Sequence, residues 1–307
     1  MFESTNKLKK SDTMSSRKKQ RLFFYTLMMI LPMAQVLLFY FYVNINSFLM
    51  AFQSMDYDVG GYVFTGLGNF VEAFNNVNLG HYFGNSLLTF VVEFFTGTLG
   101  SVFFSYYIYK KKLGHGFFKI MLYMPHIIST TVFVILYKFF VENAIPSLYL
   151  QFVGVEIEGL LANPKTTKLF LLIFCSLNGF GAAVLMYSSA MSSISESVIE
   201  SAELDGVSPM KELIFIVLPS VWSTFVTFVL VRVVGIFTNQ MNLYTFYESF
   251  AEPHLSTIGY WMYCGAVSGK LEVYPMYSAM GMSLTAIAVP ITLILRRLLN
   301  KFGPSVD

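Results

Sequence analysis

Residues 200–219 read Glu-Ser-Ala-Glu-Leu-Asp-Gly-Val-Ser-Pro-Met-Lys-Glu-Leu-Ile-Phe-Ile-Val-Leu-Pro, a charged segment between two long apolar runs. The segment carries the turn chemistry of two short helices. Asp205-Gly206 predicts the end of the first helix, because glycine adopts the left-handed C-terminal conformation without strain. Ser208 at the N-cap and Pro209 in the first helical position predict the start of the second helix. We therefore expect an ordered connector between the two apolar runs.

The beginning of the first short helix is predicted from a capping box, in which Ser193 is followed three residues later by Glu196. Ile194, Val198 and Ala202 then recur every fourth residue and form a narrow apolar stripe flanked by acids. Such a helix fits a cleft on a partner protein, into which it inserts its apolar side chains. The alternative is a helix lying flat on the bilayer. It is less favoured, because surface-binding helices carry basic rather than acidic polar faces.

The composition points to lipid as the main solvent of this chain. Of its 307 residues, 55% are hydrophobic and only 12% are charged, and the mean hydropathy is +0.60. Soluble domains carry about 25% charged residues. The two cysteines, Cys175 and Cys264, have no spacing typical of a redox or metal site. The chain is therefore predicted to be a membrane protein.

Six apolar runs are long enough to cross a bilayer, which takes roughly twenty residues for each span. We therefore predict an all-α polytopic membrane protein. Its transmembrane domain covers residues 22–302, between a basic tail at 1–21 and a short C-terminal tail at 303–307. Residues 257–267 outside the spans are predicted to form an amphipathic helix lying at the membrane interface. The predicted spans are 22–43, 87–108, 117–141, 169–191, 221–238 and 276–299.

The distribution of lysine and arginine predicts which side of the membrane each connector faces. Loop 44–86 contains neither residue type, whereas basic residues occupy the N-terminal tail, the second connector and the C-terminal end. Both termini are therefore predicted to be cytoplasmic, and segment 200–219, between spans 4 and 5, faces the same side. Beside a first span a basic tail serves orientation, so no nucleic-acid partner is predicted. The basic residues are Lys7, Lys9, Lys10, Arg17, Lys18, Lys19, Arg21, Lys110, Lys111, Lys112, Arg296, Arg297 and Lys301.

Segment 200–219 resembles the EAA loop of ABC importer permeases, whose pattern is Glu-Ala-Ala, a later Gly and a closing Ile-x-Leu-Pro. The matching residues are Glu200-Ser201-Ala202, Gly206 and 216–219, with serine in place of the first alanine. Residues 124–129, Met-Pro-His-Ile-Ile-Ser, and 277–279, Tyr-Ser-Ala, resemble further signatures of the carbohydrate-type, MalF-like members. The resemblance extends from about residue 20 to residue 302.

This resemblance implies a permease subunit of an ATP-driven importer for a sugar or oligosaccharide, in a bacterial or archaeal cytoplasmic membrane. It implies a second, similar permease that forms a heterodimer with this chain, two ATPase subunits inside and a solute-binding protein outside. ATP and Mg²⁺ are then bound by the ATPase subunits, and this chain carries no cofactor. The residues that the resemblance places on the coupling helix, which docks on an ATPase subunit, are Glu200, Ser201, Ala202, Glu203, Asp205 and Gly206.

No catalytic motif is found in the sequence. The nearest approach to a phosphate-binding Walker A loop, residues 265–271, is one residue short and lacks the final serine or threonine. The four histidines show no paired metal-ligand spacing, and no GxSxG motif occurs. The sequence therefore predicts a protein that is not an enzyme and binds no metal.

Polar residues inside the predicted spans are the candidates for a substrate pathway. A charged residue at the centre of a span costs about 2.5–3.5 kcal/mol, so it is expected to face protein or water. Glu93 and Arg232 are the clearest cases, and they could pair with each other, meet a second permease or contact the substrate. Other polar residues could hydrogen-bond a sugar or hold neighbouring helices together. These are His126, Ser129, Asn178, Asn239 and Gln240.

The main alternative function is a secondary transporter driven by an ion gradient. Such transporters are typically built from inverted repeats, and proton-driven ones carry relays of buried acids. This chain has six predicted spans, one clear acid within a span and the acidic loop, which favours the ATP-driven importer. A membrane-embedded enzyme or receptor is the second alternative, and no catalytic constellation supports it.

Overall fold

The computed structural model describes residues 16–304, and every long element in this range is a helix. Residues 1–15 and 305–307, which include Lys7, Lys9 and Lys10 of the predicted basic tail, lie outside the described range. The bent helix pair Pro209–Ser220 and Trp222–Thr238 is one candidate membrane span. Within residues 16–304, five continuous helices are also long and apolar enough to cross a membrane: Arg17–Met50, Leu79–Tyr109, Thr130–Val153, Pro164–Met191 and Tyr274–Phe302. The prediction of a polytopic helical membrane protein is confirmed, with six spans if the bent pair counts as one.

The helices follow one another along the chain with short connections between most of them. Two short strands, β1 (Gln53–Asp56) and β2 (Gly61–Phe64), form an antiparallel hairpin in which Gln53 is opposite Phe64. π-Helical segments continue or join α-helices at Val36–Tyr42, Phe94–Gly100, Phe140–Ala144 and Leu213–Val217. The α-helices are α1 (Ser16–Gln35), α2 (Val43–Met50), α3 (Gly68–Phe74), α4 (Leu79–Glu93), α5 (Ser101–Tyr109), α6 (His115–Ile127), α7 (Thr130–Phe139), α8 (Ile145–Val153), α9 (Pro164–Met191), α10 (Glu196–Leu204), α11 (Pro209–Glu212), α12 (Leu218–Ser220), α13 (Trp222–Thr238), α14 (Leu243–Tyr247), α15 (Ile258–Val267) and α16 (Tyr274–Phe302).

The third predicted span, 117–141, is not one continuous helix. α6 and α7 are separated by Ile128 and Ser129, whose backbones are extended with ψ of 142° and 133°. Pro125, just before this break, lies inside α6 and contributes no backbone N–H to it. The long apolar helix in this region is Thr130–Val153. The prediction of a single span at 117–141 is therefore wrong.

α9 occupies the centre of the bundle and packs against α4, α5, α6 and α13. Its approach to α6 is close, since a Cβ added at Gly181 would lie 2.7 Å from the carbonyl oxygen of Leu122. Buried side chains form three clusters, which contain Phe174, Tyr187 and Trp261 respectively. By contrast, every described side chain of α1 is exposed. The core of the chain is therefore formed by the elements that follow α1.

α15 covers most of the stretch 257–267 that is predicted to form an interfacial helix. Tyr260 and Trp261 are only 3% and 8% exposed. Trp261 stacks on Tyr82 of α4 with the ring centroids 5.7 Å apart, and the Tyr260 hydroxyl donates to the backbone carbonyl of Glu248. The helix packs against α4, α13 and α16. Two of its three large aromatic side chains are buried in the protein and the third, Tyr263, is 39% exposed, and the interfacial position of the helix stays a prediction.

Candidate functional site

The segment predicted to be a docking loop folds into α10, a glycine turn and α11. The N-cap of α10 is Ser195, whose backbone is extended with φ of −61° and ψ of 130°. The predicted N-cap, Ser193, instead donates its hydroxyl to the carbonyl of Ala190 in the last turn of α9. The capping-box prediction is therefore wrong by two residues, because the chain first completes a turn after α9.

The end of α10 has the geometry of a Schellman motif. Gly206 has a φ of +71°, and its N–H donates to the carbonyl of Glu203 at 3.1 Å. The N–H of Val207 donates to the carbonyl of Ala202 at 3.0 Å. α11 then starts at Pro209, after an extended N-cap serine. The predicted stop at the glycine and the predicted restart at the proline are both confirmed.

α10 has one buried face and one exposed face. Ile199 and Ala202 are 9% and 5% exposed, whereas Val198 is 46% and Leu204 is 89% exposed. The predicted apolar stripe is therefore partly wrong, because Val198, one turn before Ala202 on the same side of the helix, is exposed rather than buried. The exposed face combines acids with apolar side chains. Of the residues assigned to coupling, Ala202 is buried and the others are exposed, namely Glu200, Ser201, Glu203, Asp205 and Gly206.

A single lysine fastens both helices of this loop to the end of α5. The Nζ of Lys110 lies 2.6 Å from Oε1 of Glu203 and 3.1 Å from Oε1 of Glu212. The side chain of Glu212 is 3% exposed, that of Lys110 14% and that of Glu203 59%. The hydrogen bond from Lys110 lowers the pKa of Glu203. Burial lowers the pKa of Lys110, but its hydrogen bonds to the two carboxylates outweigh burial and raise this pKa above its usual value.

Sequence reasoning missed Lys110 and Glu212 as parts of this site. It treated Lys110 only as one of three lysines that orient the membrane spans. The feature of the sequence that could have indicated a buried carboxylate is the position of Glu212 directly before the apolar run 213–218. A carboxylate that is buried with such a run needs a cationic partner. The partner itself could not be identified, because it lies 102 residues earlier in the chain.

A second polar cluster lies inside the bundle. Arg232 of α13 donates from Nη1 to Oε2 of Glu93 in α4 at 2.6 Å, and Asn239 donates from Nδ2 to the other carboxylate oxygen at 3.1 Å. The side chains of Glu93 and Arg232 are 9% and 15% exposed. Two glycines make room for the guanidinium, since a Cβ at Gly97 or Gly179 would lie 2.5 or 3.2 Å from its Nη2. The structure thus pairs the two charged candidates with each other.

The other candidates for the substrate pathway do not hydrogen-bond to this cluster. His126 and Ser129 are exposed beside the break between α6 and α7, and Asn178 is half-buried on α9. Gln240 follows α13, and its Oε1 is buried without a hydrogen-bond partner among residues 16–304. The structure therefore brings together three of the seven predicted residues: Glu93, Arg232 and Asn239.

Comparison with known proteins identifies the class of this membrane protein. The sequence profile described as "Binding-protein-dependent transport system inner membrane component" matches residues 97–307. The chain belongs to this family. The match includes the whole loop from α10 to α11, together with Lys110 and Arg232, and it begins just after Glu93.

Relatives of this transport-system component carry names that refer to sugar uptake. The arabinooligosaccharides transport system permease protein AraP of Bacillus subtilis is 23% identical over 275 residues, which cover 87% of this chain and 85% of that protein. The lactose transport system permease protein LacF of Rhizobium radiobacter is 24% identical over 199 residues, 64% of this chain and 67% of that protein. These relatives are permeases, so this transport-system component belongs with membrane transport proteins rather than enzymes.

A solved structure supports the fold of the transport-system component. A chain of a bacterial ABC transporter involved in the import of the acidic polysaccharide alginate superimposes with a TM-score of 0.76 at 18% identity. The alignment covers 93% of this chain and 98% of that one.

In residues 16–304 of the transport-system component, no group of three or more His, Cys, Asp or Glu side chains is arranged to hold a metal ion.

Proposed function

We propose that this chain is the translocation subunit of an ATP-driven importer for a sugar or oligosaccharide. The observation that carries the proposal is the loop of α10, Gly206 and α11. This loop is an ordered helix pair between the candidate span Pro164–Met191 and the apolar helix Trp222–Thr238, and it exposes acidic and apolar side chains together. The sequence has no Walker A loop, so we assign ATP hydrolysis and the binding of ATP and Mg²⁺ to separate partner subunits.

In the proposed mechanism, the exposed face of α10 docks in a groove on an ATPase subunit. Glu200 and Asp205 supply an acidic rim, Leu204 supplies an apolar contact, and Gly206 supplies the turn between the two helices. Closure of two ATPase subunits on ATP then displaces the loop as a rigid body. The displacement passes to α9 and α13, which are the membrane helices on either side of the loop in the chain. This subunit makes and breaks no covalent bond.

The proposed assembly contains a second, homologous permease that forms a heterodimer with this chain, two ATPase subunits and a solute-binding protein. The description of the family refers to a binding protein. A solved alginate transporter, whose chain is similar to this one, is in complex with an alginate pentasaccharide-bound periplasmic protein. The distribution of basic residues supports cytoplasmic termini, a cytoplasmic loop and insertion in a bacterial or archaeal cytoplasmic membrane.

A carbohydrate substrate is favoured by the names of two relatives, which refer to lactose and arabinooligosaccharides. Four residues outside the Glu93 cluster, His126, Ser129, Asn178 and Gln240, offer polar groups for hydrogen bonds with sugar hydroxyls. Arg232 and Asn239 both donate hydrogen bonds to Glu93, and in the proposal the three residues also border the pathway.

The ion-gradient alternative is not favoured by the intramembrane charges. A proton-driven transporter requires a relay of ionisable groups across the membrane. Here the acid in the middle of the second span, Glu93, is paired with Arg232 at 2.6 Å. The pair leaves no net charge at this position for an ion to neutralise.

The test compares transport and subunit assembly in two charge-reversal variants. Glu200→Lys changes the exposed face of α10, and Glu158→Lys changes an exposed acid in the loop before α9 as a matched control. The complex is purified from its native membrane through a tag on this chain. Uptake of labelled lactose and arabino-oligosaccharides is measured in vesicles loaded with ATP.

We expect Glu200→Lys to lower both the co-purification of an ATPase subunit and ATP-dependent uptake about tenfold, because it reverses a charge at the docking surface. Glu158→Lys is expected to leave both unchanged. Uptake that survives ATP depletion and is abolished by a proton uncoupler would overturn the proposal in favour of the ion-gradient alternative.

A further inference from the structure

One cation joins three segments of the chain that are distant in sequence. Lys110 directly follows α5, at the end of the continuous helix Leu79–Tyr109. Its Nζ contacts Glu203 in the last turn of α10 at 2.6 Å and Glu212 at the end of α11 at 3.1 Å. The two helices of the loop therefore meet the same ammonium group, which belongs to a third helix.

Of the two contacts of Lys110, the one with Glu212 is the more buried and the stronger. The side chain of Glu212 is 3% exposed, and both of its carboxylate oxygens lie within hydrogen-bond distance of the Lys110 Nζ, at 3.1 and 3.2 Å. A carboxylate buried to this degree keeps its charge only beside a cation. The pair with Glu203 is the weaker one, because the Glu203 side chain is 59% exposed and solvent screens it. The pair of Lys110 with Glu203 nevertheless connects Lys110 to the exposed face of α10.

Covalent connections explain why this contact has a mechanical consequence. The loop is continuous with α9 before it and α13 after it, so movement of the loop reaches both helices through the backbone. The helix Leu79–Tyr109 has no such connection to the loop. Apolar packing on the loop side comes from Ile199 and Leu213, which are buried in the same cluster as Val102 of α5. Apolar contacts of this kind permit sliding, whereas a charged hydrogen bond fixes direction and distance.

We propose that Lys110 is a positioning residue that couples α10 and α11 to the helix Leu79–Tyr109, so that displacement of the loop moves this helix together with α9 and α13. We call Lys110, Glu203 and Glu212 the Lys110 latch. The proposal rests on the proposed function, because it requires a partner that displaces the loop. It adds the route by which the displacement reaches a helix outside the loop's covalent path.

The test uses hydrogen exchange in the complete complex, with the nonhydrolysable nucleotide AMP-PNP as the probe. Peptides covering residues 105–112 report the end of α5, and peptides covering 196–212 report the loop. The variants are Lys110→Met, Lys110→Arg and the double variant Lys110→Met/Glu212→Gln. The matched control is Lys112→Met, an exposed lysine two residues away.

In the wild type and in Lys112→Met, AMP-PNP is expected to change exchange about threefold or more in both regions, because local opening is coupled across the latch. In Lys110→Met the loop is expected to respond while residues 105–112 do not. Lys110→Arg is expected to restore the response, because arginine keeps the charge and the donors. The double variant removes the buried, unpaired carboxylate and is expected to remain uncoupled.

Two results would overturn the latch proposal and leave the proposed function standing. The first is a full response of residues 105–112 in Lys110→Met, and the second is recovery of this response in the double variant. Recovery would mean that Lys110 serves only to neutralise Glu212. A wild-type complex that contains no ATPase subunit, or that does not respond to AMP-PNP, overturns the proposed function and the latch with it. The failures of the two proposals are thus distinguishable.

Discussion

Arg232→Met is expected to destabilise the bundle far more than the double change Glu93→Met/Arg232→Met. The two side chains are 15% and 9% exposed, and their charged atoms lie 2.6 Å apart. At this distance their direct attraction is about 6 kcal/mol for an effective dielectric constant of about 20, and it is largely offset by the cost of removing both charges from water. When only one of the two charges is removed, the other stays buried. It keeps the cost of its removal from water but loses the attraction that offset this cost.

The size of the effect follows from what remains around Glu93. Breaking a buried ion pair from one side costs about 3–5 kcal/mol, whereas replacing both partners by apolar residues of similar volume is about neutral. Asn239 still donates to the second carboxylate oxygen, at 3.1 Å, so we expect Arg232→Met to cost about 3 kcal/mol, the lower end of that range. The double change also leaves the Asn239 amide without its acceptor, which adds about 1 kcal/mol.

The free energy of unfolding is measured by titration with SDS in mixed micelles, for the wild type, both single variants and the double variant. Lys119→Met, an exposed lysine of α6, is the control and is expected to change stability by less than about 0.5 kcal/mol. A coupling energy below about 0.5 kcal/mol between the Glu93 and Arg232 substitutions would refute the reasoning, since independent sites add.

Three further predictions concern the loop and the packing of α9. Gly206→Ala is expected to lower the thermal stability of the loop by about 1 kcal/mol, because φ is +71° there, and a circular-dichroism melt that shows no change would contradict this. The hydrogen bond from Lys110 lowers the pKa of Glu203, so this pair stabilises the fold fully at pH values above the ordinary carboxylate pKa, and the stabilisation is lost as the pH falls through the folded-state pKa. A carbon-13 NMR titration that placed the Glu203 midpoint at or above the ordinary glutamate value of 4.5 would disprove the pairing. Gly181→Ala is expected to cost about 1–3 kcal/mol by overpacking against the α6 backbone, whereas Gly235→Ala, where the nearest atom is 3.9 Å away, is expected to be neutral or stabilising in the same SDS titration.

Local chemistry made parts of the loop predictable from sequence. A glycine that ends a helix and a proline that begins one act through their own backbone torsions, so Gly206 and Pro209 could be assigned without knowledge of the fold. Local chemistry does not determine the start of α10, because several serines precede it and the position of the N-cap depends on how α9 ends. Ser195 rather than Ser193 became the N-cap because the chain needs one more turn to leave α9.

Contacts between distant segments could not be read in the same way. The break between α6 and α7 depends on extended torsions at Ile128 and Ser129, and an apolar sequence does not reveal them. The pairing of Glu93 with Arg232 was one of three alternatives, because two charges in separate spans do not specify which helices are neighbours. Lys110 was assigned to orientation alone, since its role depends on burial that arises only when α10 and α11 pack beside α5.

The two polar contacts lie on the same helix, and their spacing constrains how that helix moves. Glu93 and Lys110 are 17 positions apart, roughly 25 Å along a helix that rises about 1.5 Å per residue. Glu93 binds α13 through Arg232, and Lys110 binds the loop that leads into α13. Two attachments at this separation oppose rotation of Leu79–Tyr109 against α13, so under the Lys110 latch proposal we expect the two helices to move as one body. If the Lys110 latch is broken, the hydrogen bonds of Glu93 with Arg232 and Asn239 remain, and in the proposal they act as a pivot. We then expect loop displacement to tilt α13 past the helix Leu79–Tyr109 without carrying that helix along.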